Sequence, residues 1–335
     1  MAQKRVGDST IKFTTPPVIV STGSVAGPKE GRGPLAPWFD EIVPDDLFGE
    51  RTTEKAERRF MEDAAKIALK NANLTQDQVD FFVAGDLLNQ IVAASFTAEV
   101  FGVPYVGIYG ACSTSTLGLT VAAVLVDGGY ADRVLVATSS HYQTAERQFR
   151  YPVELNTQRK TTSQYTVTGA GAFLVASSGG KVKITEATVG TVLDMGIKDA
   201  NQMGPAMAPA AADTLFRHLA DTGRRPEDYD FIFTGDLGAV GSNIFRALMK
   251  EKGVILGDNY QDAGVMVFQG DPTAGAGGSG CACSALVLGG YVCKRMQDNE
   301  ISRALAIATG ALLSPLTTQQ GESIPAVANA VALEL

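Results

Sequence analysis

Hydrophobic and polar positions along this chain alternate between the period of helices and the period of strands. One amphipathic helical stretch runs from about Glu54 to Asn71, and another from about Pro209 to Asp221. Strand-like runs precede them at Pro17 to Ser21 and Lys183 to Val189. Others follow them, each ending in Gly-Asp-Leu, at Gly85 to Leu87 and Gly235 to Leu237. Further strands are predicted at Tyr105 to Tyr109, from Arg133 and Arg303 onward, and at Ala170 to Ala176 and Ala326 to Leu333. Two long stretches carry no charge, Val100 to Val126 and Pro272 to Cys293. Their length would allow a membrane crossing, but Gly, Pro, Ser and Thr break both. Each is therefore read as strand or loop followed by a helix uncharged on every face, the pattern of a helix buried in a core. The first such helix runs from about Thr114 to Val126.

These elements repeat in order. Asp77-Gln-Val-Asp80-Phe81-Phe-Val-Ala-Gly85-Asp86-Leu87 matches Glu227-Asp-Tyr-Asp230-Phe231-Ile-Phe-Thr-Gly235-Asp236-Leu237 at five of eleven positions, 150 residues on. Ala111-Cys112-Ser113 recurs as Ala282-Cys283-Ser284, and Arg133-Val-Leu-Val-Ala-Thr138 as Arg303-Ala-Leu-Ala-Ile-Ala-Thr309. The chain is thus expected to be α/β, with two duplicated halves, residues 1–179 and 180–335, meeting at the turn Ser178-Gly-Gly-Lys181. Halves facing each other would bring Cys112 and Cys283 together at a pseudo-two-fold axis. They would lie near the carboxyl ends of strands, where ligands of open α/β sheets sit.

Composition narrows the classes of function. The 335 residues are 45% hydrophobic and 19% charged, with 36 glycines, as in a globular chain with a large core and many tight turns. A formal charge of −8 argues against nucleic acid as a partner, because neutralising phosphates needs clustered Lys and Arg. It says less about anionic small molecules, since one local donor cluster outweighs a distant net charge. The four cysteines, Cys112, Cys281, Cys283 and Cys293, show no disulfide spacing and fit a reducing compartment. Cys281-Ala-Cys283 has no second pair, and only His141 and His218 could complete a site, so no metal is expected. No basic segment followed by an apolar core opens the chain, so neither a secretion signal nor a transmembrane segment is expected.

Candidate chemistry centres on Gly110-Ala-Cys112-Ser-Thr-Ser115, between a strand and a buried helix. At such a place unpaired N–H groups and the positive end of the helix dipole favour a thiolate or a bound carboxylate. Cys112 is then a nucleophile, part of an anion pocket, or an inert buried thiol. Ser113, Thr114 and Ser115 suit capping. With His141 as base, Cys112 could serve a hydrolase or transferase.

Two repeated halves with a cysteine at the buried N-half helix resemble the thiolase superfamily. Longer stretches resemble one family within it, the stage V sporulation AD proteins of spore-forming bacteria. They are Ala26-Gly-Pro-Lys-Glu30, Ala84-Gly-Asp-Leu-Leu-Asn-Gln90, Gly110 to Ser115, Ala137-Thr-Ser-Ser-His141, Ala145 to Pro152 and Met207 to Asp213. Thr234 to Leu237, Gly277 to Ser284 and Ala308 to Pro315 complete the set, and the match runs from about residue 11 to residue 335. The resemblance implies a thiolase-like fold and a non-catalytic protein that binds dipicolinic acid, pyridine-2,6-dicarboxylate, in a former condensing-enzyme pocket. It would belong to the machinery that takes this ligand into the spore and releases it at germination. Its partners would be the other membrane proteins of the stage V A operon, and its place the cytoplasmic side of the inner spore membrane, peripherally bound. Thiolase-like folds also imply a homodimer through the N-half sheet edge.

The residues themselves weigh against retained catalysis. A condensing site needs a thiolate and C-half donors, His with His or Asn, to hold the thioester oxygen. Asp236 stands where one such His would, and Ser279 near the other, while His141 belongs to the first half and His218 to the Pro209 to Asp221 helix. Acyl condensation is expected to be lost, with Cys112 a relic. The alternative is an acyl-transferring or hydrolytic enzyme using Cys112 as nucleophile.

A planar dianion needs donors along one edge and close walls on its faces. Backbone N–H groups of Ser113 and Thr114, the side chains of Asn89, Ser139, Ser140 and His141, and the guanidinium groups of Arg147 and Arg150 are candidate donors. Cys112, Cys283 and Leu312, the last within Gly310 to Ser314, are candidate walls. Asp86 and Asp236 would repel a dianion. Asp86 is expected to tie its own turn, to be protonated by burial, or to face a calcium ion, so that the pocket takes the calcium chelate.

Overall fold

In the computed structural model, which describes residues 3–149 and 160–335, each half contributes five main strands. The first half runs β1 (Val18–Ala26), α1 (Thr53–Asn71), β2 (Phe81–Gly85), α2 (Val92–Phe101), β3 (Tyr105–Gly107), α3 (Thr114–Asp127), β4 (Arg133–Ser140), α4 (Tyr142–Phe149) and β5 (Gly169–Ala176). The second runs β6 (Val182–Val189), α5 (Met203–Thr222), β7 (Phe231–Thr234), α6 (Gly238–Glu251), β8 (Tyr260–Asp262), α7 (Cys281–Leu286), β9 (Arg303–Ala311) and β10 (Ala326–Glu334). The strands join in the order β3-β2-β4-β5-β1-β6-β10-β9-β7-β8. Corresponding strands follow the same order from either end, so the repeat in the sequence is a pseudo-two-fold in space. Its centre is a short antiparallel pairing of β1 with β6, Val18 opposite Lys183 and Ile19 opposite Val182.

Helices α1 and α2 cover the outer face of the first half, and α5 and α6 that of the second. Helices α3 and α7 lie between the halves, α3 reaching β9 and β10, and α7 reaching β4 and β5. A helix with sheet on both sides has no wet face, which is why both are uncharged all round. Leu119, Ala122 and Ala123 of α3 and Ala282, Ala285 and Leu286 of α7 are fully buried. After Leu286 the helix widens into a π turn, Val287–Val292, where the Thr22 hydroxyl donates to the Gly289 carbonyl at 3.0 Å.

The first strand, expected over Pro17 to Ser21, runs on to Ala26, and two further elements depart from the sequence expectation. The strand expected over Tyr105 to Tyr109 ends at Gly107; Ile108 N still bonds Ala84 O at 3.0 Å, and Ile108 O passes so close to Gly85 that a Cβ there would lie 2.0 Å away. The helix expected from Pro209 begins at Met203 and carries Pro209 inside it. Proline favours the first turn of a helix, but here packing on α6 carries the helix through it. Gly204 sits so tightly that a Cβ would lie 2.2 Å from Leu237 O.

The two ends of the sheet differ. At β8, Arg246 of α6 donates to the carbonyls of Leu256 and Tyr260, both at 3.0 Å. At the other end β3 is the last strand, hydrogen-bonded to β2 alone among the described residues. Among the described residues no helix is long and apolar enough to cross a membrane.

Candidate functional site

The turn into α3 places Cys112 where the two halves touch. Ala111 takes a left-handed φ of 48°, a strained conformation for a residue with a Cβ. Beside it the backbones of the halves cross, and a Cβ on Gly310 would lie 2.1 Å from Gly110 O. Only glycine allows that approach.

Cys112 is buried beside the carboxylate of Asp236, which lies just past the end of β7. Asp236 is itself fully buried. Its Oδ1 accepts from Thr309 Oγ1 at 2.7 Å, and its Oδ2 from Gly280 N at 3.0 Å and Ser279 Oγ at 3.2 Å. Burial raises the Asp236 carboxyl to about 6. Burial, and then the Asp236 charge, push the Cys112 thiol well above the ordinary thiol range. A nucleophilic cysteine needs the reverse, a cation or a base beside it. The helix start does not compensate. The N–H groups of Ser113 and Thr114 turn back to Gly110 O at 3.0 Å and Ala111 O at 3.2 Å, so the donors expected there for a ligand are already engaged.

The second thiol beside this turn is Cys281, not Cys283. Cys281 donates from Sγ to Ala111 O at 3.1 Å, whereas Cys283 lies in the main core. The matched Ala-Cys-Ser letters are out of step with the helices: Cys112 precedes α3 by two residues and Cys283 lies two residues inside α7. The axis between the helices is held instead by Ser115 and Ser284, whose hydroxyls are 2.7 Å apart.

Next to Cys112 is a small hollow of about 20 Å³ lined by Leu87, Ala111, Ala145, Phe149, Thr166, Met203, Ser279, Ala311 and Leu313. A larger, more open hollow of about 380 Å³ lies against it, between residues 88–91, 107–109 and 312–314, with Leu313 common to both. Asn89 and Leu312 line this second hollow. Gln90 and Ile91 on its wall hold left-handed φ of 58° and 47°.

Most of the polar residues expected at the ligand bind the protein instead. Asp86 accepts from Leu88 N at 2.8 Å and Ala94 N at 2.7 Å, so it ties its own turn to the start of α2. Burial raises it to about 6. Its neighbour Glu57, also buried, takes the hydroxyls of Ser139 at 3.3 Å and Thr144 at 2.7 Å. Burial and then the Asp86 charge raise Glu57 as well. Ser113 Oγ donates to Gly110 O at 2.7 Å, and Ser140 Oγ to Val167 O at 2.7 Å while accepting from Ala282 N at 3.1 Å.

His141 is not a base for Cys112. Its Nδ1 accepts from Gln143 N at 3.2 Å, which leaves the hydrogen on Nε2 to donate to Asp46 O at 2.8 Å. Burial lowers its pKa, so the ring is neutral. Arg147 is paired across to α1, with Thr53 Oγ1 at 2.7 Å and with Glu54. Arg150 lies outside the described residues. Among the described residues no three His, Cys, Asp or Glu side chains are grouped to hold a metal. Sequence reasoning missed Thr166 and Met203; Met203 was hidden by the expected helix start at Pro209.

A family model described as stage V sporulation protein AD matches residues 7–334. Stage V sporulation protein AD of Bacillus subtilis is 47% identical over 331 residues, covering 99% of this chain and 98% of the relative. The fold is similar to that of 3-oxoacyl-[acyl-carrier-protein] synthase III from Aquifex aeolicus, with TM-score 0.58 and 17% identity over 95% of this chain and 100% of that one. It is also similar to a variant of Xanthomonas campestris OleA, with TM-score 0.63 and 14% identity over 97% of this chain and 100% of that one. At such low identity these two show the fold alone, which is thiolase-like. The match along nearly the whole chain goes further: this chain belongs to the stage V sporulation protein AD family.

Proposed function

We propose that this protein binds dipicolinate in the hollow beside Cys112 and does not turn it over. The observation that carries this reading is the buried Asp236 carboxylate beside Cys112, held there by Thr309, Gly280 N and Ser279. A condensing enzyme needs a thiolate beside hydrogen-bond donors for the thioester oxygen. Here a carboxylate holds the thiol protonated and occupies the place of a donor. The hollow beside Cys112 is small, about 20 Å³, and the open one against it, about 380 Å³, has the size of small-molecule sites, which run from about 300 to 1,000 Å³, so the ligand would extend from the first into the second. Leu87, Ala145, Phe149 and Leu313 offer apolar walls for a flat ring, and Thr166 and Ser279 offer hydroxyls for its edge. In this reading the protein works with the membrane proteins of its operon, peripheral to the inner spore membrane, in uptake of the ligand and its release at germination. Whether the ligand enters free or as its calcium chelate is decided by titrating with and without the metal.

A second reading, acyl transfer through Cys112, is favoured by the fold. An OleA structure of that fold was solved with bound lauric acid and lauroyl-CoA. Calorimetry with dipicolinate and intact-mass measurement after incubation with acyl-CoA separate the two. We expect one saturable site for dipicolinate, weakened at least about tenfold when Ala311→Phe fills the hollow (about 1.4 kcal/mol), and no acyl adduct. We also expect iodoacetamide to label Cys112 with an apparent pKa above the free thiol's value of about 8.5. An acyl adduct on Cys112 without dipicolinate binding would reverse the assignment.

A further inference from the structure

The floor of the hollow has a hydrogen-bond direction set by Asp236. Cys112 and Ser279 line the hollow; Ser279 Oγ donates to the Asp236 carboxylate beneath them at 3.2 Å, and Cys112 lies beside that carboxylate. While Asp236 is ionised it can only accept, so the Ser279 O–H hydrogen points inward and the hollow sees the lone pairs of that hydroxyl. A carboxylate meeting that floor finds acceptors where it needs donors, with a buried negative charge one hydrogen bond away.

Resting on the proposed function, we infer that Asp236 makes this a proton-coupled site: a carboxylate ligand enters together with one proton from solvent, and that proton ends on Asp236. Once protonated, Asp236 carries no charge, and its hold on Ser279 and Cys112 weakens. The Ser279 hydroxyl can then turn to donate to the ligand. Among the described residues that face Asp236 none carries a positive charge to offset the added negative one. From α7 it faces the thiol of Cys283, from the α3 turn that of Cys112, and from β9 the Thr309 hydroxyl. From β8 it faces Asp262, a second acid, whose carboxylate is engaged by Leu237 N at 2.8 Å and Gly238 N at 2.9 Å. Gln164 donates to the Asp236 backbone carbonyl at 2.6 Å rather than to the carboxylate. No lysine, arginine or histidine is hydrogen-bonded to the carboxylate among the described residues. The empty site already raises Asp236 to about 6 through burial, and an adjacent anion moves it further in the same direction.

The test is dipicolinate calorimetry on the full chain, from pH 5.5 to 8, in paired buffers of different ionisation enthalpy. Wild type and Asp236→Asn are compared. Near pH 7 wild type is expected to take up close to one proton per ligand, and its affinity to fall up to about tenfold per pH unit above pH 6. Asp236→Asn is expected to bind with no proton uptake and a flat profile. Binding by wild type without proton uptake overturns the inference and leaves the proposed function standing. An Asn variant that keeps the wild-type slope does the same. Absence of dipicolinate binding by wild type at every pH removes both. Should Asp236→Asn not fold, ligand-induced infrared difference spectra of wild type decide the point. A new protonated-carboxyl band supports the inference, and its absence overturns it.

Discussion

Glu30, in the loop after β1, is buried, with Oε1 accepting from Thr168 N at 3.0 Å and Oε2 without a hydrogen-bond partner among the described residues. Burial raises its carboxyl to about 8. A carboxyl raised on folding binds its proton more tightly in the native state. The stability this gives is complete below the unfolded value of about 4.5 and is lost as pH rises through about 8. Asp86 and Asp236 act in the same direction at lower pH. Stability is therefore expected to fall between pH 5 and pH 8. Glu30→Gln is expected to narrow that difference by a few kcal/mol, on the order of the linkage, in chemical denaturation at the two pH values. The residue scale is also where the sequence was least complete. Cys112 and Asp236 were legible because each stands at a strand or helix end whose place the repeat defines. His141 and Ser140 were not, because their partners Asp46 and Val167 come from other parts of the chain and no local pattern announces them.

At the scale of elements, the helices α1 and α3 follow the hydrophobic pattern to within a residue at each end. Pattern marks an element well when one environment acts along its whole length, as burial does for α3. It misplaced the start of α5, where a proline that usually opens helices is carried inside by close packing on α6. The crossing of the loop before α3 with β9 makes a sharper demand. Gly310→Ala would set a methyl 2.1 Å from the Gly110 carbonyl, and backbone cannot move aside as a flexible side chain can. We expect a loss of at least about 1–3 kcal/mol, read as a lower denaturation midpoint. Dipicolinate binding should weaken with it, because Ala311 lines the hollow. Unchanged stability would mean that the halves are not in contact there.

On the scale of the whole molecule, the repeat specified the pseudo-two-fold but not the strand order, which depends on pairings between residues far apart in sequence. The homodimer expected from the fold class has a natural seat at β3. Pro104 O and Ile108 N bond inward to β2, so Tyr105 and Gly107 face outward with backbone groups available. Exposed apolar side chains occur on α2, at Phe96 and Val100, and just past β3, at Tyr109. Sedimentation velocity is expected to show a dimer, and Gly107→Pro, which removes an outward N–H, to shift it toward monomer. A sheet built by doubling has two rims, and any open rim is a template for another chain. If both stayed open, copies would join one after another without closing. The guanidinium of Arg246 already occupies the carbonyl of the last strand at one rim, so association can stop at a pair, and a chain lacking that side chain would be the one to form filaments.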